Sequence, residues 1–134
     1  MAVTPALRRR SMSFDLSFEI RDGYIVGVVT GVIDTPEQLL RKIRTMLHKA
    51  LDSNMNRFLM DERGLELHLE AHDIIQVANR LEYRNVQFLG GRSACLCNPG
   101  FVEQYRACET AYHNRSLSYK VFEREADAVA WLMR

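Results

Sequence analysis

The chain has 134 residues, 47% of them hydrophobic and 26% charged, and a formal net charge of +1. One domain of this length can bury a core without disulfides or metal. The near balance of charge excludes a strongly basic nucleic-acid binder, and the composition excludes an intrinsically disordered chain. Residues 1–11 hold Arg8, Arg9 and Arg10 and no acid, which leaves −2 for residues 12–134. We therefore expect a disordered basic arm over 1–11 and one domain over 12–134, with either Met1 or Met12 serving as the start. No apolar run of secretory length follows the arginines. The most apolar stretch, Tyr24–Ile33, falls well short of the ~20 residues that span a bilayer. A cytoplasmic chain without an integral membrane segment is the expectation, and Cys95, Cys97 and Cys108 are too few and odd in number for a disulfide framework.

Phe14–Ile20 alternates apolar and polar residues and predicts a strand with one wet face. Asp22-Gly23 supplies a hairpin turn, and Tyr24–Thr30 predicts a partner strand buried on both faces. Thr35, Pro36 and Gln38 form the start signal of a helix, a capping box with Pro at its first position. Leu39, Leu40, Ile43, Met46, Leu47, Ala50 and Leu51 make its inner stripe, and Arg41, Lys42, Arg44, His48 and Lys49 its solvated face.

Arg57–Asp61 predicts a central strand, Glu62-Arg63-Gly64 its exit loop, and Leu65–Leu69 either more strand or loop. A second helix is expected from Glu70 to Leu81. The segment from Arg84 to Gly91 is ambiguous, and Ser93–Cys97 reads as a strand of small residues ending in an Asn98-Pro99-Gly100 turn. Helix Phe101–His113 with Asn114 as its stop, strand Leu117–Phe122 and helix Arg124–Met133 complete the chain. The order β-β-α-β-α-β-α-β-α predicts a single α/β domain. Its sheet is mixed and mostly parallel, of about five strands, with about four helices covering it.

Three segments carry a resemblance: the hairpin Phe14–Thr30, the run Phe58-Leu59-Met60-Asp61-Glu62-Arg63-Gly64-Leu65, and Val121-Phe122-Glu123 followed by Ala126–Leu132. Together with the element order they resemble the STAS fold of SpoIIAA-type anti-sigma factor antagonists, and more narrowly the bacterial SpoIIAA-like group, which is similar in turn to the lipid-binding CRAL-TRIO fold. The resemblance implies a non-enzymatic, regulatory protein-interaction module. Its partner would be a regulatory protein or a second copy of the chain, and its contact surface would be Asp61, Glu62, Arg63, Gly64 and Leu65, with Glu62 and Arg63 setting charge specificity. In the signalling members the run reads Asp-x-Ser-Gly-Leu and the Ser is phosphorylated. Arg63 stands at that position here, so the phosphate switch has no hydroxyl to act on. The alternative implied by the lipid-binding relatives is a carrier of an apolar small ligand, with a pocket between sheet and helix lined by Met46, Ile74, Ile75, Phe101 and Tyr105. An enzyme built on His68, His72 and Asp73 ranks last, because no constellation has catalytic spacing.

His68 and His72 are four residues apart and would share a helix face as a weak candidate metal pair. The order is not His-Glu-x-x-His, and two polar residues near a helix start is the plainer account. Cys95-Leu96-Cys97 with Cys108 is read as buried core rather than a soft-metal site. Gly90-Gly91-Arg92-Ser93 lacks the phosphate-loop pattern. Trp131 is placed at the edge of its helix's apolar face, a partner anchor or a partly buried side chain. No cofactor is expected.

Overall fold

A computed structural model describes residues 13–83 and 91–134. The expected basic arm and nearly all of the ambiguous segment from Arg84 onward lie outside the described residues. Strands β1 (Phe14–Ile20), β2 (Ile25–Ile33), β3 (Arg57–Leu67), β4 (Arg92–Cys97) and β5 (Tyr119–Phe122) form one sheet in sequence order. β1 is antiparallel to β2, and every later pairing is parallel. Helices α1 (Pro36–Ser53), α2 (Ala71–Tyr83), α3 (Val102–His113) and α4 (Glu125–Leu132) alternate with the later strands, as the sequence leads one to expect.

Local signals explain the boundaries. At the start of α1, Gln38 N–H donates to Thr35 Oγ1 at 3.2 Å, and Thr35 N–H donates back to Gln38 Oε1 at 3.1 Å, so the capping box closes as expected. Asn54 ends the helix in the left-handed conformation at φ 53°. The stop of α3 differs: Asn114 stays helical and Ser116, at φ 62°, makes the turn. Phe101 belongs to a short 3-10 turn, Pro99–Phe101, so α3 begins one residue later than expected and Val102 faces solvent.

The sheet is covered unequally. On one face the apolar stripes of α1, α2 and α3 pack over Ile25, Val29, Phe58 and Met60. On the other, α4 is the one described helix, and it places Ala128 and Leu132 against Leu59, Ala94 and Leu96. Because α4 rests on β3, β4 and β5, the described residues leave much of the β1–β2 half of that face uncovered, although Val26 of β2 packs at the edge of the α4 cluster. This corrects the expectation that β2 is buried on both faces: Val28 is 42% exposed while Val29 beside it is fully buried.

The second correction concerns the exit of β3. Glu62-Arg63-Gly64 is not a loop. The strand runs on to Leu67 because β2 stays alongside as far as Ile33, pairing Val32 with Glu66 and Ile33 with Leu67. A bulge absorbs one extra residue of β3 between Asp61 and Gly64 opposite Val28–Thr30.

Candidate functional site

Alternation along β3 decides what its side chains can do. Phe58, Met60 and Glu62 point toward α1 and α3, whereas Leu59 and Asp61 point to the α4 face. The expected contact surface is thereby divided. Asp61, Arg63 and Gly64 reach solvent, but Glu62 is only 1% exposed and Leu65 is fully buried. Glu62 therefore cannot act with Arg63 at a surface. Arg63 is held by Asp61 instead: its Nε and Nη2 donate to the two carboxylate oxygens at 2.9 and 2.8 Å, and its backbone N–H donates to Oδ1 at 3.2 Å. These hydrogen bonds hold the Asp61 carboxyl below the usual carboxylate range.

On the inner face, Glu62 meets Lys42 of α1 and Tyr105 of α3. Lys42 Nζ donates to Glu62 Oε2 at 2.6 Å, and the Tyr105 hydroxyl donates to Oε1 at 2.9 Å. All three residues are buried. Burial alone would lower the Lys42 pKa, but the Glu62 charge and its hydrogen bond outweigh that and raise it. Burial, reinforced by Glu62, pushes the Tyr105 hydroxyl well above its ordinary value. The expectation that Lys42 lies on a solvated face is thus overturned. Lys42 stands three residues after Leu39 and four before Met46, both core residues, so it occupies the buried stripe itself.

The cluster forms part of the wall of a cavity of about 360 Å³ between the sheet, α1 and α3. Of the residues expected to line a carrier pocket, Met46 and Tyr105 do so. Ile74 is packed in the core, Ile75 is exposed and Phe101 stacks on the His68 ring edge at 4.9 Å between centroids. Cys95, Cys97 and Cys108 are buried free thiols. Burial pushes Cys108 up to about 12, so at neutral pH it remains a protonated thiol, a poor nucleophile.

The histidines do not share a helix face, because α2 begins only at Ala71 and His68 precedes it. His68 Nε2 lies 2.9 Å from Glu66 Oε1, while the exposed His72 has Asp73 at 3.3 Å and Glu70 at 3.6 Å. Among the described residues no three His, Cys, Asp or Glu side chains gather as a metal site. Trp131 is partly buried, with the Arg92 guanidinium 5.3 Å above its ring and donating to its carbonyl. No described helix is long and apolar enough to cross a membrane.

No protein-family model matches this chain, and no curated protein matches it in sequence. Solved structures do match it in shape. An uncharacterized protein from the DUF3478 family with a SpoIIAA-like fold, from Shewanella loihica PV-4, superposes with a TM-score of 0.55 at 22% identity, covering 90% of this chain and 93% of that one. An anti-sigma factor antagonist from Mycobacterium paratuberculosis gives 0.56 at 17% identity, covering 91% and 96%. The chain thus has the SpoIIAA-like α/β fold, the architecture expected from the sequence.

Proposed function

We propose that the chain is a non-enzymatic, STAS-like regulatory module that recognises a protein partner, or a second copy of itself, through the exposed part of Asp61–Leu65. The observation that supports this reading most directly is the Asp61–Arg63 clamp. It stands on the sheet face of which α4 covers only part, in a fold shared with an anti-sigma factor antagonist. A fixed guanidinium with its carboxylate partner presents both signs of charge in one geometry, which suits selection of a partner by charge. With Arg in place of the phosphorylated Ser of the signalling proteins it resembles, recognition at this site is constitutive.

Arg63→Glu tests the surface. The side chain is half exposed, so the reversal leaves the core untouched. A partner captured on the unaltered chain and identified by mass spectrometry should bind the variant roughly tenfold more weakly. Equal affinity would remove this surface from consideration.

A second reading, a carrier of a small apolar ligand, is favoured by the cavity, whose volume lies in the range of about 300–1,000 Å³ common to ligand pockets. Native mass spectrometry of the purified chain separates the two. A retained small-molecule mass favours the carrier, and a bare chain with a bound protein favours the module.

A further inference from the structure

We propose that the cavity takes an uncharged, largely apolar molecule that presents one oxygen acceptor to the Lys42 ammonium; this deepens the carrier reading and rests on it. Its walls between α1, β3 and α3 include Leu39, Met46, Phe58 and Met60, which offer an apolar body nothing but dispersion and desolvation. The polar part of the wall is specific. An ammonium has three N–H donors. One goes to Glu62, and among the described residues the other two have no acceptor. The Lys42 side chain is only 8% exposed, so bulk solvent is a poor substitute, and a buried donor without an acceptor is costly. A ligand oxygen at this point would remove that cost.

Charge decides what kind of oxygen it is. Among the described lining residues the charged ones are Lys42, Glu62 and Arg92. The Arg92 guanidinium is turned to the Trp131 ring and carbonyl. Lys42 and Glu62 neutralise each other at 2.6 Å, and Tyr105 occupies the second Glu62 oxygen. A carboxylate or phosphate brought into this neutral site would be a buried charge without a counter-ion of its own, and a cationic head would face Lys42. An ester, ketone or alcohol oxygen meets neither obstacle.

Calorimetric titration of the full chain at neutral pH with methyl octanoate and with octanoate tests this, because the two share a tail and differ in head charge. The ester should bind at least roughly tenfold more tightly, the factor that corresponds to about one hydrogen bond. Its carbonyl infrared stretch should move to lower frequency when bound. In the double variant Lys42→Met with Glu62→Gln, which removes both charges and leaves Tyr105 a partner, the ester should lose about that same factor and its stretch should not move. If the double variant fails to fold, the ester–octanoate ratio and the infrared shift on the unaltered chain still decide. Octanoate binding as tightly as the ester, or an unmoved ester stretch, overturns the neutral-ligand inference while leaving a carrier. Failure of both probes to bind overturns the carrier reading with it.

Discussion

Replacing Lys42 by Met leaves the Glu62 carboxylate buried with Tyr105 as its remaining donor. We expect a loss of about 3–5 kcal/mol in urea unfolding, most of it restored when Glu62→Gln is added, since removing one partner of a buried pair is worse than removing both charges. A single variant as stable as the original chain would contradict the geometry. The same region sets the response to alkali. Lys42 has a folded pKa raised above its ordinary 10.5, and the neutral forms of Cys95, Cys108, Tyr105, Tyr112 and Tyr119 are favoured by burial over ordinary values of 9.0 and 10.0. All six groups hold their protons more tightly folded than unfolded. Their contribution is complete below pH 9.0 and is lost as pH rises through 9.0–10.5 and beyond. The unfolding free energy from urea titration should be lower at pH 11 than at pH 8, by about 1 kcal/mol or more; a flat profile would refute the burial of these groups. Lys42 was misplaced in the sequence although its spacing held the signal: 39, 42, 46 and 50 fall on one face of α1, but a lysine there reads as surface until a buried carboxylate is placed opposite. Glu62, two residues after Met60 in an alternating run, carried the same kind of signal and was obscured by its likeness to a loop.

At the scale of elements, the helix starts and the hairpin were legible because their signals are local: Thr35 and Gln38 bond each other across one turn, and Asp22-Gly23 bends a single reversal with Gly23 at φ 91°. The exit of β3 was not, because Glu62–Leu67 is held extended by the distant Thr30–Ile33, which no local pattern reveals. Gly31 shows how tightly that end of β2 is built. It sits at φ 109°, and a Cβ there would stand 2.5 Å from the Ser13 carbonyl oxygen. Gly31→Ala is therefore expected to lower stability by more than the ~1 kcal/mol typical of a helix-interior glycine change, read as a drop in melting temperature. An unchanged melting temperature would mean that β1 and β2 do not meet there as described.

Among the described residues the whole molecule is lopsided, with three helices on one side of the sheet and one on the other. Fold class was readable from the alternation of strands and helices, but how much of each face α4 covers depends on where an eight-residue helix lands, and sequence pattern does not fix that. Two neighbouring residues expose the asymmetry. Val28→Lys should leave the melting temperature nearly unchanged, whereas Val29→Lys, which drives an ammonium into the larger core, should prevent a cooperative transition. Comparable losses for both would mean that the open half of the sheet is covered.

Strand order has a consequence for how the chain is made. Because each strand lies beside its neighbour in sequence, no later segment has to be threaded between earlier ones, and a growing polypeptide adds each strand to an edge already in place. The strip formed by Leu59, Ala94 and Leu96 is different. Its cover, residues 125–132, is synthesised after every strand it protects, so the nascent sheet carries a bare apolar band until translation has passed α4. Exposed apolar surface of that kind favours aggregation until it is covered.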